Sequence, residues 1–290
     1  MTQTPEAPPH TFQVTTGQIQ APDGLLLHHA EWIADRAKGG VLIVHGFAEH
    51  LGRYTEFAEF LACSGWSVFA YDARGHGRSA GVRAYVDRFD EYLADLATVM
   101  PFATARLGGR PFLFGHSMGG LIALHAAGDA PDTIRGLIVS NPATRNKMQI
   151  PPWKAAAAKV AAKVHPTLAL PTGLSGAMVS RDPVEAKAYD TDPLNIKQAT
   201  ARWYVEYLAC QERLEKRVGD VGKVPMLAVL GTGDGVIDSA FTRSLLGGVR
   251  GVDHTVRNYP DFLHELLHEP LADRERVFAD VLAWLDSHAA

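Results

Sequence analysis

Gly115-His116-Ser117-Met118-Gly119 follows a short apolar run over residues 111–114 and opens a helical run that begins at Met118. This is G-x-S-x-G between a strand and a helix, the setting in which the pattern carries meaning. A serine on so sharp a turn is held in a strained backbone conformation with its hydroxyl projecting outward. Its flanking residues must be tiny because strand and helix pass close by. Gly115 and Gly119 meet that demand. Working outward, further apolar runs occupy 41–44, 67–71, 136–139, 224–230 and 254–259, with helical segments expected over 54–63, 89–107, 118–127, 239–246 and 271–287. Strands apolar on both faces that alternate with helices predict a parallel sheet covered on both sides, an α/β protein. Before them, 11–19 and 25–32 alternate around Asp23-Gly24 and read as an antiparallel edge hairpin.

The alternation breaks after the sixth strand. Residues 143–221 separate two strands that a single helical crossover would join, so they are read as a helical insertion between core segments 1–142 and 222–290. The insertion has a helix from Trp153 to Val164, with Trp153, Ala157, Val160 and Val164 on one face and Lys154, Lys159 and Lys163 polar. The apolar face is expected to pack on a neighbouring element, the alternative being a lipid contact suited by the basic face. A second helix is expected over 196–218.

A serine hydroxyl needs a base to take its proton, usually a histidine held by a carboxylate. After this kind of turn the acid and the histidine come later in the chain, on loops at successive strand ends. Asp234 is the first acid past the strand over 224–230, whereas Asp238, beside Ser239, suits a helix N-cap. His264 stands in the loop right after the last strand, while His254 begins that strand and His268 falls near the last helix. For the charge that develops on a carbonyl oxygen, the expected donors are the backbone N–H of Met118 and that of Phe47 in the loop after 41–44. His45 reads as a histidine that holds this loop by hydrogen bonds.

Composition narrows the rest. With 290 residues, the chain is one large domain or one domain with an insertion. Twenty-eight Lys and Arg against 32 Asp and Glu leave a formal charge of −4, which repels a polyphosphate backbone, so no nucleic-acid partner is expected. Cys63 and Cys210 match no metal or redox spacing and read as free, buried thiols of an intracellular protein. Residues 1–10 are polar and proline-rich, without the pattern of a secretory signal, and no apolar stretch approaches the ~20 residues of a membrane span.

The sequence resembles the monoacylglycerol lipase group of the α/β-hydrolase superfamily over nearly its whole length. The likeness rests on His45-Gly46-Phe47-Ala48-Glu49-His50 with Arg53-Tyr54, on Tyr71-Asp72-Ala73-Arg74-Gly75-His76-Gly77-Arg78-Ser79, on the serine turn with Gly120, and on Gly233-Asp234 with Tyr259 to His264. Ser180-Arg181-Asp182-Pro183 and Tyr189-Asp190-Thr191-Asp192-Pro193-Leu194 extend it through the insertion.

The resemblance implies an α/β-hydrolase fold with a helical cap over the active site, Ser117 as nucleophile, Asp234 as acid, His264 as base, and Phe47 and Met118 as oxyanion donors. It also implies Arg53 and Tyr189 near the polar end of the site, with Arg53 alternatively a structural partner of Glu49. Asp72, Arg74 and His76 are read as structural. One departure bears on head-group selectivity: a second histidine of the family pattern corresponds to Leu267 here, with His268 one residue later. In a helix that step turns a side chain by about 100°.

The expected function is hydrolysis of a monoacylglycerol ester in the cytoplasm, with peripheral membrane contact through the cap and no metal or organic cofactor. The alternatives are a general carboxylesterase or lysophospholipase with the same triad and, from another class, a hydrolase-like binding protein. A peptidase is a weaker reading, and a dehalogenase would need an aspartate at position 117.

Overall fold

The computed structural model describes residues 10–147, 151–249, 251 and 253–289; nine of the ten N-terminal residues read above lie outside these. In chain order the elements are β1 (Phe12–Gln20), β2 (Leu26–Ala34), β3 (Gly39–Val44), α1 (Thr55–Cys63), β4 (Trp66–Tyr71), α2 (Asp90–Arg106), β5 (Phe112–His116), α3 (Met118–Asp129) and β6 (Gly136–Ser140). The inserted region holds α4 (Pro152–Val164), β7 (Ala169–Pro171), α5 (Gly176–Val179), α6 (Pro183–Thr191), β8 (Gln198–Thr200) and α7 (Ala201–Arg217). The chain closes with β9 (Met226–Gly231), α8 (Ser239–Gly247), β10 (His254–Tyr259) and α9 (Leu271–Ser287).

Eight strands form one sheet in the order β1-β2-β4-β3-β5-β6-β9-β10. The hairpin β1–β2 joins β4 antiparallel, and every later pairing is parallel. Side chains alternate between faces along a strand, and both faces of the inner strands β3, β4, β5, β6 and β9 are buried, whereas the edge strand β1 is largely exposed. On β3, Leu42 and Val44 enter one apolar cluster with α2 and α3, whereas Val41 and Ile43 enter the other with α1 and α9. The chain turns to β4 on one side of β3 and to β5 on the other, which opens a crevice at the carboxyl ends of β3 and β5. This is the α/β-hydrolase arrangement, with the insertion after the sixth strand.

Two elements of the insertion differ from the sequence reading. The second helix starts at Ala201 because residues 198–200 pair with β7 and the Thr200 hydroxyl then caps the helix, accepting the Trp203 N–H at 3.3 Å. On α4, the Trp153, Val160 and Val164 side chains are exposed at 68%, 61% and 77%. The helix packs on α7 instead through alanines such as Ala162, whose small side chains let the two axes approach. The side chain of Lys154 lies outside the described residues. Of the two cysteines expected to be buried, only Cys210 is: Cys63 is exposed at the last position of α1, whose inward face is made by Phe57, Ala58, Leu61 and Ala62.

Candidate active site

Ser117 occupies the single residue between β5 and α3, at φ 50° and ψ −116°. A positive φ is unusual for a residue with a Cβ and is held by its surroundings; the Ser117 N–H donates to the Ser140 carbonyl at 3.0 Å. The close crossing explains the flanking glycines. A Cβ on Gly115 would stand 2.4 Å from the Gly119 carbonyl oxygen, and one on Gly119 would stand 2.0 Å from that of Val44.

Loops at the ends of β9 and β10 bring Asp234 and His264 to this serine. His264 Nε2 lies 2.9 Å from Ser117 Oγ, and His264 Nδ1 lies 2.7 Å from Asp234 Oδ2. A carboxylate only accepts, so Nδ1–H donates to Asp234 and Nε2 is left to accept from the hydroxyl. The second oxygen, Asp234 Oδ1, accepts the N–H groups of Val236 and Ile237 at 2.7 and 3.0 Å.

Burial would raise the Asp234 carboxyl, but the His264 imidazole and these amides hold it below its ordinary range. Burial would lower the His264 imidazole, yet the Asp234 charge raises it above its ordinary value. Asp238 has the other job: its side chain caps α8, accepting the Phe241 N–H at 2.9 Å.

The loop after β3 faces Ser117. Met118 begins α3, so its N–H lies outside the helical ladder, and Phe47 follows β3 with Ala48 at a φ of 68°. Glu49 Oε1 accepts the Gly46 N–H at 2.5 Å and the Tyr54 hydroxyl at 2.7 Å. His45 accepts the Ala73 N–H at Nε2, 2.9 Å away, and sits 2.6 Å from the Gly46 carbonyl through Nδ1, so it joins the loops after β3 and β4. The Phe47 ring stacks on Trp203 of α7 with centroids 3.8 Å apart, and Trp203 stacks on Tyr207 at 4.9 Å.

The motif residues Asp72, Arg74 and His76 point into the scaffold. Asp72 accepts the Leu51 and Arg78 N–H groups at 2.7 Å each, Arg74 forms a fork with Asp95 at 2.6 Å, and His76 Nδ1 lies 2.9 Å from the Arg74 carbonyl.

A cavity of about 400 Å³ opens over Ser117, within the usual range for small-molecule sites. Its wall includes Phe47, Met118, Tyr189, Trp203 and Tyr207. Arg53 stands behind this wall, with Nη2 2.5 Å from Glu265 Oε2 and Nε 3.6 Å from Glu49 Oε2, and its guanidinium carbon is 5.3 Å from the Tyr189 ring centroid. Leu267 is buried among the apolar residues under α1 and α9. His268 turns toward Arg53, with Nε2 2.7 Å from the Arg53 carbonyl and Nδ1 2.9 Å from Glu265. Among the described residues, no cluster of His, Cys, Asp and Glu is arranged to hold a metal ion.

Sequence reasoning missed several residues here. Asn141, at a φ of 38° after β6, donates to the carbonyls of Leu263 and His264 at 3.0 and 2.8 Å and accepts the Gly231 N–H at 2.9 Å. It thereby fixes the histidine loop against the end of β9. Glu265 carries no local signal beyond standing next to His264. His116 packs its ring 4.8 Å from that of His264, and burial pushes it down to about 4.

Comparison with known proteins adds kinship to this geometry. A family profile described as serine aminopeptidase, S33, matches residues 35–271. The monoacylglycerol lipase of Mycolicibacterium smegmatis is 31% identical over 271 residues, covering 91% of this chain and 94% of that protein. Phospholipase YtpA of Bacillus subtilis is 30% identical over 259 residues, covering 89% of this chain and 98% of its own. The crystal structure of Paleococcus ferrophilus monoacylglycerol lipase superposes with a TM-score of 0.80 at 30% identity, over 95% of this chain and 99% of that one.

Proposed function

This chain belongs to the serine aminopeptidase S33 family of α/β-hydrolases, within its monoacylglycerol lipase type, and from that premise we propose that it hydrolyses the carboxylic ester of monoacylglycerols through Ser117, His264 and Asp234. The observation that carries the reading is the unbroken hydrogen-bonded chain from Asp234 through His264 to Ser117, at 2.7 and 2.9 Å, beneath a largely apolar cavity.

His264 Nε2 takes the proton of Ser117 as Oγ attacks the acyl carbonyl carbon, and the Asp234 carboxylate stabilises the imidazolium that forms. The charge on the former carbonyl oxygen rests on the N–H groups of Phe47 and Met118. The intermediate then collapses, the C–O bond to glycerol breaks, and the leaving oxygen takes the proton back from Nε2. Water repeats the sequence on the acyl-enzyme, releasing a fatty acid and restoring Ser117.

The acyl chain lies along the wall built around Phe47, Trp203 and Tyr207, and residues 143–221 act as the cap. Tyr189 meets the polar end of the substrate, with Arg53 behind it. The exposed apolar face of α4 suits contact with the membranes from which such a substrate comes. The unpaired thiols of Cys63 and Cys210 agree with a reducing, cytoplasmic setting.

The test is a series of monoacylglycerols beside lysophosphatidylcholine and short p-nitrophenyl esters, with Ser117→Ala as the blank. A kcat/KM favouring monoacylglycerols, lost by several orders of magnitude in Ser117→Ala, is expected. Activity retained without the hydroxyl would overturn the assignment, and a preference for short esters or lysophospholipid would move the function to an esterase or lysophospholipase.

A further inference from the structure

The cavity has a property that ester hydrolysis does not itself require. Among the described residues, its wall includes two carboxylates, Glu49 and Glu265, and no lysine or arginine. Both are buried, at 2% and 4% exposure. They also lie close to the reacting serine: Glu265 directly follows His264, and Glu49 Oε1 and Ser117 Cβ stand 2.7 and 3.2 Å from the point a Cβ on Gly46 would occupy.

The positive charge nearby is already committed. Arg53, 6% exposed in its side chain, is the partner of both carboxylates, and Glu49 Oε2 has no hydrogen-bond donor. Burial alone would raise the Glu265 carboxyl, but Arg53 and His268 hold it well below its ordinary range, so it carries its charge at neutral pH. His116, pushed down to about 4, adds no positive charge there. Lys197 is engaged with the Tyr189 carbonyl at 3.0 Å and does not line the cavity. His50, which does not line the cavity, pairs with a further carboxylate, Asp192, at 3.0 Å.

We infer that the enzyme selects its esters by the charge of the alcohol, the Glu49 and Glu265 wall admitting neutral or cationic alcohols and rejecting those that carry a phosphate. This rests on the ester-hydrolase reading of the same site and names its substrate class. The partners of these carboxylates, Arg53 and the His268 ring, do not line the cavity, so among the described residues an incoming phosphate meets carboxylate oxygens and no guanidinium or ammonium group, and salt screens such buried charge poorly. At an effective dielectric near 20 and separations of several ångströms, one like-charge pair corresponds to a discrimination of about tenfold to a hundredfold.

The experiment holds one acyl chain constant and varies the alcohol: the acylcholine, the monoacylglycerol and the monoacylglycerol 3-phosphate, with the p-nitrophenyl ester as common reference. In the wild type, kcat/KM for the phosphate-bearing ester should fall at least tenfold below that for the acylglycerol, with the acylcholine not so penalised. In Glu265→Gln, normalised to the p-nitrophenyl ester, that gap should narrow several-fold. A phosphate-bearing ester turned over as well as the neutral one, or a gap unchanged in a folded Glu265→Gln, would overturn the inference. Should that variant fail to fold, the wild-type ranking decides alone. Absence of turnover on every ester, the p-nitrophenyl reference included, would instead remove the hydrolase reading beneath it.

Discussion

At the residue scale, the meeting of Ser117, His264 and Asp234 is legible because each stands in the turn or loop that follows a strand, and their order along the chain is the order in which the sheet delivers them. The structure also divides the two candidate acids by what each carboxylate touches. Asp234 meets His264 Nδ1, whereas Asp238 meets the Phe241 N–H and caps α8. Asp234→Asn should therefore lower kcat by orders of magnitude, since an amide can leave the imidazole in the wrong tautomer. Asp238→Asn, which keeps a capping oxygen, should leave turnover close to wild type. Steady-state kinetics on the p-nitrophenyl ester rank the two, and the reverse ranking would mean that Asp238 is the acid.

The pH profile belongs to the same scale. Only the neutral imidazole can accept the serine proton, and Asp234 raises the His264 value above its ordinary 6.5. The acid limb of kcat/KM should then have its half-point above 6.5, whereas Asp234→Asn, leaving burial without the raising charge, should shift the limb to lower pH. A wild-type half-point below 6.5 would contradict the arrangement. The sign for stability is opposite: the raised imidazole stabilises the fold below its unfolded value, and this is lost as pH rises through the folded one. What the sequence hid at this scale are residues whose partners lie far along the chain. Asn141 acts on a loop more than a hundred residues later, and Glu265 is paired with Arg53 across 212 positions.

At the element scale, hydrophobic periodicity located the strands and helices of the core but misassigned the inward face of α4. The large side chains of that helix gave the strongest pattern, yet the alanine face is the one that meets α7, because close approach of two helices favours small residues over large ones. Val160 and Val164 are left outward on the same helix as Lys159 and Lys163. If this face meets lipid, Val160→Asp with Val164→Asp should weaken co-sedimentation with anionic vesicles and slow turnover of vesicle-borne monoacylglycerol by several-fold, since an inserted helix depends on its buried apolar area. Turnover of a dispersed p-nitrophenyl ester should change little. Equal vesicle binding by variant and wild type would remove the membrane role from α4.

At the scale of the whole molecule, residues 143–221 read as an insertion in the sequence, because they interrupt a regular alternation of strands and helices. Their packing ties them to the rest of the fold. Trp203, Tyr207, Cys210 and Leu214 of α7 belong to the same buried cluster as the α2, α3 and sheet residues on that face. The insertion is also tied at its other end: the Ser180 hydroxyl donates to the His268 carbonyl at 2.6 Å, and Arg181 pairs with the buried Glu269 at 2.9 Å. A region whose apolar side chains complete the core cannot leave without exposing that core. Thermal unfolding should accordingly be a single cooperative transition, with fluorescence of the tryptophans and far-ultraviolet circular dichroism coinciding and the calorimetric enthalpy equal to the van't Hoff value. An earlier, separate transition that quenches or shifts tryptophan emission while the sheet signal persists would show that the insertion melts on its own. In that case the Phe47–Trp203 stack, which joins the loop after β3 to α7, would be the contact at which the two parts come apart.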